Sequence, residues 1–180
     1  MKELSLNLTL DKLKGPTKEQ LIFHNQWASI GLDKFHKGSK AVMEFVIDGI
    51  TRKTELSWDS NFPKAAMREE VDIAHHGGVA MAWFVMSVLL DYRYVQQSEI
   101  GDGVDYLFQK TEPDDDDLNF LSEHHYVEIS GILRETRTNT LNGRIKSKHG
   151  QICKGCMKDK PSSVIITLFN APKTIKEIHI

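Results

Sequence analysis

The chain has 180 residues, of which 40% are hydrophobic, and its formal net charge is −2 at pH 7. This length and composition predict one globular unit, or one domain with an extension, with a sizeable core. The near-neutral balance argues against a generic nucleic-acid coat protein, which would be basic throughout. Charge is segregated instead: residues 134–160 carry eight Lys or Arg against two acids, and 112–117 carry five acids in six positions. The basic segment is either a track for phosphate groups or an ordinary charged surface, and the acidic loop is expected to be solvated.

The N-terminal part begins with a predicted strand and a predicted helix. Leu4, Leu6, Leu8 and Leu10 alternate with polar residues, which is typical of a half-buried strand. Residues 17–35 predict a helix that is capped at its first position.

A hairpin is expected next, from 41–47 and 53–58 around Asp48-Gly49. It either lengthens the main sheet or forms a small subdomain. The sequence thus predicts two parts, an α+β extension of strand, helix and hairpin at 1–60 and a core at 61–180.

Residues 64–91 predict a long helix at the centre of the core. Every position of 79–90 except Ser87 is apolar, so most sides of this helix should be buried. The run is too short to cross a bilayer, which needs about 18 or more apolar residues. We therefore expect a core helix and no membrane contact.

Three strands, a helix and a final strand are expected after the long helix. Apolar and β-branched patterns and turn residues place the three strands at 92–97, 103–108 and 126–133. A basic helix is expected at roughly 139–157, and the final strand at 163–169. The predicted fold class is α/β, with the order helix, three strands, helix, strand.

Asp105 is placed by alternation on a face without other acids. Side chains alternate along a strand, so Val104, Tyr106 and Phe108 should share one face while Asp105 points out of the other. An acid on the open face of a strand is usually just solvated, and that alternative stays open.

Glu128 follows on the next predicted strand. Alternation places Glu128 and Ser130 on one side, opposite Val127 and Ile129. If the two strands pair antiparallel, Asp105 and Glu128 come within ligand reach of one ion. Two such carboxylates can hold a hard divalent cation, an arrangement that suits phosphodiester cleavage.

The basic helix carries a polar stripe formed by Arg144, Lys148 and Gln151, which lie four and seven positions apart. An apolar stripe that would pack on the sheet consists of Leu141, Ile145, Ile152 and Cys156. The polar stripe would then overhang the two acids. The alternative is an ordinary solvated helix face.

Three patterns of this chain resemble motifs of one nuclease superfamily. They are Gly101-x-Gly103-x-Asp105-Tyr106, Val127-Glu128-x-Ser130-Gly131 and Arg144-x-x-x-Lys148-x-x-Gln151. With the order of elements over about residues 65–175, they look like the PD-(D/E)XK superfamily, which has the restriction-endonuclease-like fold. More narrowly, they are similar to a small bacterial branch in which the usual strand lysine is replaced. The resemblance does not cover residues 1–60.

The resemblance implies a metal-dependent endonuclease that hydrolyses phosphodiester bonds of nucleic acid, with DNA favoured over RNA and bacterial defence as a context. The residues that it implies in catalysis are Asp105, Glu128, Lys148, Gln151 and Arg144. Mg²⁺ or Mn²⁺ would be held by Asp105, Glu128 and the backbone carbonyl of Ile129. Lys148, with Arg144, would stabilise developing negative charge, and Gln151 would orient the water or a phosphate oxygen. A partner protein or a homodimer is a further association that the resemblance leaves open.

Two departures from the superfamily pattern support a rival hypothesis. Ser130 stands where the strand lysine is usual, with Lys148 as its substitute, and His75 and His76 stand where an acid is expected on the first helix. His75 is either a ligand for a softer metal such as manganese or, as we favour, a hydrogen-bonded helix residue. The rival is an inactive nuclease-like module that binds nucleic acid or a partner protein.

Cys153 and Cys156 form a single C-x-x-C pattern. A zinc site would need two more ligands, for which the candidates are His149, His124, His125 and His179. We favour reduced, partly buried thiols, because Cys156 falls on the apolar stripe of the helix. Reduced thiols and the absence of a charged-then-apolar signal segment predict a cytoplasmic protein.

Overall fold

The computed structural model describes residues 2–99, 101–112, 124–155 and 158–179. The elements in chain order are β1 (Lys2–Ser5), a 3-10 turn (Leu6–Leu8), α1 (Thr9–Lys12), α2 (Lys18–Asp33), β2 (Lys40–Ile47), β3 (Ile50–Ser57), α3 (Glu70–Phe84) with a π-helical turn (Val85–Leu89), β4 (Tyr94–Gln97), β5 (Tyr106–Gln109), β6 (His124–Ile132), α4 (Leu141–Ile152), β7 (Ser162–Leu168) and β8 (Lys173–His179). The predicted α/β class is confirmed. Cys156 and most of the acidic loop, positions 113–117, lie outside the described residues. Within the described ranges, no helix is long and apolar enough to cross a membrane.

One mixed sheet joins these strands in the order β1-β3-β2-β8-β7-β6-β5-β4. Strands β4, β5 and β6 form an antiparallel meander, and β6 pairs parallel with β7. A parallel pair needs a crossover connection, and α4 supplies it. The predicted order of elements is therefore present as α3, β4, β5, β6, α4 and β7, with β5 and β6 as neighbours.

The hairpin of β2 and β3 joins this sheet. Its turn residues Asp48 and Gly49 have φ values of +49° and +84°, which suits the type I′ turn of a two-residue hairpin. Strand β2 also pairs parallel with β8, so the sheet continues past residue 60. The division into an extension and a core stays a prediction.

Strand β8 is an addition to the sequence prediction. Its sequence has no apolar alternation, because Ile175 and Ile178 are three positions apart, and Lys176 is of a type that normally marks a surface position. The structure buries this lysine at 4% exposure, with Nζ 2.8 Å from Oδ2 of Asp48.

The predicted N-terminal strand is too long. Strand β1 ends at Ser5, whose Oγ accepts the N–H of Asn7 at 3.3 Å and turns the chain into the 3-10 turn, so residues 6–10 are not extended. Helix α2 is capped at Thr17 as predicted, and the Thr17 N–H donates in return to Oε1 of Gln20.

Helix α3 begins at Glu70, six residues after the predicted start. Lys64 binds Asp33 of α2, with Nζ 2.5 Å from Oδ2, and its carbonyl accepts the N–H of Met67 in a turn. This segment is therefore held against α2 as a loop. The end of α3 widens into the π-helical turn, where the N–H of Leu90 binds the Val85 carbonyl.

Two apolar clusters hold the layers together. One face of the sheet packs on α2 and α3, and this larger cluster includes Phe45, Phe84, Phe108, Val127, Ile129 and Phe169. The other face packs on α4, through Val104, Ile132, Ile145, Ile152, Val164 and Ile166. Helix α4 ends at Ile152, five residues before the predicted position 157, and the Gly155 backbone that follows packs directly against the Asp102 carbonyl.

Candidate active site where strands β5 and β6 separate

Asp105 lies immediately before β5, at the point where β5 leaves β6. The last register pair is Tyr106 with Val127. The N–H of Asp105 donates to the Val127 carbonyl at 2.9 Å, and its Oδ2 accepts the N–H of Ile129 at 2.7 Å. Because the N–H and carbonyl of a residue in an antiparallel pairing point to the same edge, the Ile129 carbonyl also faces this side. Asp105 therefore caps the edge of β6 that β5 leaves open.

The predicted alternation before β5 is wrong at one position. Tyr106 and Phe108 belong to the α2–α3 side, but Val104 packs on the α4 side. Gly103 has a φ of +76°, and the chain bends at Asp105, so the period of two starts only at Tyr106.

Glu128 lies in the middle of β6 and points towards α4. It is 3% exposed, and its Oε1 accepts a hydrogen bond from Nζ of Lys148 at 2.5 Å. The Lys148 side chain is itself only 16% exposed. The pair thus lies beneath the surface, where a charge without a partner is costly.

The Glu128 carboxyl has an unusual pKa. Burial raises it, the neighbouring charge of Asp105 raises it further, and the Lys148 ammonium opposes both; the resulting pKa is about 7. A hydrogen bond between the two carboxyls contributes in the upward direction. Asp105 and Glu128 are therefore direct neighbours, and the Lys148 ammonium offsets only part of the effect of burial and of the Asp105 charge on Glu128.

Helix α4 delivers Lys148 because of its spacing to the apolar stripe. The helix starts at the cap Thr140, whose Oγ1 accepts the N–H of Gly143 at 3.2 Å. Ile145 and Ile152 are buried against the sheet, and Lys148 is three residues after the first and four before the second. These positions share a helix face, so Lys148 points inward rather than to solvent.

A pocket of about 440 Å³ opens beside this pair. Its walls come from α3, from the end of β6 with the loop that follows, and from α4: Glu70, Val71, Ala74, His75, Ile129, Ser130, Gly131, Ile132, Leu133, Arg134, Thr136, Asn139, Arg144 and Lys148. The pocket lies where β5 has left β6, so this stretch of β6 is paired with β7 on one side and has no strand on the other. Lys148 thus contacts Glu128 on one side and the pocket on the other.

Two glycines allow α3 to close one wall of the pocket. A Cβ at Gly131 would lie 1.9 Å from the Ala74 carbonyl oxygen, and a Cβ at Gly78 would lie 2.8 Å from the Gly131 nitrogen. The helix and the strand therefore meet backbone to backbone, which only glycine permits.

The other predicted residues fall at different distances from the acids. Arg144 lines the pocket and donates to Oδ1 of Asn139 from Nη2 at 2.8 Å. Gln151 is exposed on the last turn of α4, and Ser130 and His75 line the pocket. The predicted stripe is thus divided, with Arg144 and Lys148 at the pocket and Gln151 outside it.

Two charged residues at the pocket were not among the predicted site residues. Glu70 is held by Lys34 at 3.0 Å and by Arg134 at 3.7 Å. The ion pair with Lys34 lowers the pKa of Glu70. Arg134 follows β6 directly, and its place after a buried strand that carries an acid was the signal available in the sequence.

The acid pair has donor atoms to offer a hard cation. Lys148 engages Oε1 of Glu128, and Ile129 engages Oδ2 of Asp105, which leaves the second oxygen of each carboxyl for the mutual contact or for an ion. Carboxylate and carbonyl oxygens suit Mg²⁺ and Mn²⁺. Across the described part of the chain, no group of three or more His, Cys, Asp or Glu side chains is already arranged to hold an ion. An ion here would accordingly depend on two carboxylates and a backbone carbonyl.

No family model, curated protein or solved structure matches this chain. The residues of the site are therefore the basis of the functional proposal.

Proposed function

We propose that this protein is a Mg²⁺- or Mn²⁺-dependent nuclease of the PD-(D/E)XK superfamily, with a restriction-endonuclease-like core. The observation that carries the proposal is the junction of Asp105, Glu128 and Lys148: two carboxyls in contact, with an ammonium from a separate helix 2.5 Å from one of them. The order of α3, β4, β5, β6, α4 and β7 supports the same superfamily.

Asp105 and the Ile129 carbonyl present oxygen at the open edge of β6, and the Glu128 carboxyl lies beside Asp105 on the α4 face. Together these three groups would hold the cation. When bound, such an ion activates a water and polarises the scissile phosphate. It would also replace the proton that the two carboxyls share, since burial and the neighbouring Asp105 raise the pKa of Glu128 to about 7.

The pocket supplies positive charge for a phosphate group. Lys148, Arg144 and Arg134 line it, and among the described residues that line it the acid is Glu70, which pairs with both Lys34 and Arg134. Lys148, whose ammonium lies between Glu128 and the pocket, would stabilise negative charge on the phosphate. This role matches electrostatic stabilisation of a transition state.

A second candidate is a nuclease-like module that binds nucleic acid or a partner protein without cleavage. The observation that favours it is the ion pair itself, because Lys148 already neutralises part of the charge that a metal would need. Ser130 at the position of the usual strand lysine favours it as well.

The test is cleavage of plasmid DNA and of single-stranded DNA and RNA with Mg²⁺, with Mn²⁺ and with EDTA. Lys148→Ala should reduce the rate by about 10²–10³-fold, as expected for a lost transition-state contact, whereas Lys146→Ala on the exposed face of α4 should not. Asp105→Asn should abolish cleavage, and Asp102→Asn, whose carboxylate caps the Glu99 N–H in the preceding turn, is its matched control. Metal-independent binding that survives Asp105→Asn, without cleavage by the unmodified chain, would favour the second candidate.

A further inference from the structure

The end of α4 and the end of β8 bring together a cysteine, two histidines and a glutamate away from the acid pair. Nδ1 of His149 lies 2.9 Å from Nδ1 of His179, with the two rings stacked 5.1 Å apart between centroids. Sγ of Cys153 lies 3.7 Å from Nε2 of His179. Cys153 is exposed and forms no disulfide.

We propose that His149, Cys153 and His179 bind a zinc ion that fastens the last turn of α4 to the end of β8. A thiolate with two imidazoles is a donor set typical of zinc rather than of magnesium. This site is separate from the proposed nuclease centre and takes a different class of metal.

The distances suit such an ion. Zinc lies about 2.0–2.1 Å from nitrogen and about 2.3 Å from sulfur, so tetrahedral donors are roughly 3.3–3.6 Å apart. The observed separations of 2.9 Å and 3.7 Å lie on either side of this range. His179 turns one nitrogen to each neighbour, so its ring must rotate for the three donors to converge. A single carbon, Cε1, separates the two nitrogens of the ring.

A carboxylate behind His149 is an independent indication. Nε2 of His149 lies 3.5 Å from Oε2 of Glu177. Histidines that bind metals commonly donate their second N–H to a carboxylate, which fixes the ring and leaves the other nitrogen as a ligand. This arrangement leaves Nδ1 of His149 facing Nδ1 of His179.

The three ligands proposed are His149, Cys153 and His179. Cys156, three positions after Cys153, lies outside the described residues.

The experiment adds Zn²⁺ to the full chain, removes free metal by gel filtration and measures zinc per chain. Co²⁺ replaces Zn²⁺ in a parallel sample, because a thiolate-to-cobalt absorption band requires a cysteine ligand and cannot arise at Asp105 and Glu128. We expect one zinc per chain and this band, with both lost in Cys153→Ser and in His179→Ala and kept in Lys154→Ala. Asp105→Asn, which tests the nuclease proposal, should keep both.

Absence of the cobalt–thiolate band in the unmodified chain overturns the proposal, whatever the variants do. Persistence of the band in Cys153→Ser overturns it as well. Circular dichroism of each variant shows whether a chain that no longer binds zinc is still folded. His149→Gln is a further variant that should stay folded and lose the metal.

Discussion

Replacing Glu128 with Gln tests the electrostatics of the acid pair without changing its shape. Gln has nearly the same size as Glu, can accept a hydrogen bond from Lys148 and can donate one to Asp105, but it cannot ionise. The variant therefore imitates the protonated acid at every pH.

The expected magnitude follows from the pKa of Glu128. Its ordinary value is 4.5, and the folded chain raises it to about 7 because burial and Asp105 outweigh Lys148. Between these pH values the folded chain keeps a proton on Glu128 that the unfolded chain has released. The contribution of Glu128 to the free energy of unfolding is therefore greatest below pH 4.5 and falls as pH rises towards 7. At about 1.4 kcal/mol per pKa unit, the ionised acid costs the folded chain roughly 3 kcal/mol at pH 8.

In metal-free buffer, Glu128→Gln should therefore raise the free energy of unfolding at pH 8 by up to about 3 kcal/mol, and by less than about 1 kcal/mol near pH 4.5. Urea denaturation at a series of pH values with EDTA measures the difference, in which the other titrating groups cancel. Added Mn²⁺ should then stabilise the unmodified chain and not the variant. A variant that is equally or less stable at pH 8 would show that the carboxylate is not strained by its surroundings and would refute the reasoning.

Two further predictions concern the fold. Gly131→Ala should lower the free energy of unfolding by at least about 1–3 kcal/mol, because its Cβ would lie 1.9 Å from the Ala74 carbonyl oxygen. The control is Gly150→Ala, whose Cβ meets nothing within 4 Å and which should be neutral or stabilising. Equal effects of the two substitutions on urea denaturation would contradict the close packing of α3 on β6. His24 and His125 should stay neutral until the pH falls to about 4, because burial, as the largest cause, lowers the pKa of each to about 4. The unfolded chain binds these protons near pH 6.5, so both groups remove stability as pH falls from 6.5 towards 4, and NMR titration midpoints near 6.5 would contradict the burial.

The proximity of Glu128 and Lys148 could be predicted because the strand and the helix that carry them keep their regular side-chain spacing in the structure. Glu128 alternates with buried Val127 and Ile129 along β6, and Lys148 keeps helical spacing to the apolar stripe of α4. Asp105 was found for a partly wrong reason, since the bend after Gly103 breaks the alternation that placed it.

What escaped the sequence depends on contacts between distant segments. Strand β8 was missed because Lys176 is buried by an ion pair with Asp48, 128 positions away in the chain. Arg134 and Glu70 meet at the pocket from a loop and a helix start, and no local period relates them. Likewise, His149 and His179 are 30 positions apart, and only the packing of α4 beside β8 brings them together.

In the proposed nuclease, the position of the Lys148 ammonium would decide between cleavage and binding without cleavage. Its helix is fixed by Ile145 and Ile152, and its side chain lies between Glu128 and the pocket. With a cation held by the acid pair, Lys148 would turn from Glu128 into the pocket, next to Arg144, where it would meet a phosphate oxygen. Lys148 and the cation would thus compete for the Glu128 carboxylate, although cleavage would need both. This competition predicts that Lys148→Ala weakens cleavage while it strengthens Mn²⁺ binding. Calorimetric titration of Mn²⁺ into both proteins measures this, and weaker binding in the variant would mean that Lys148 holds the acid in place instead of competing for it.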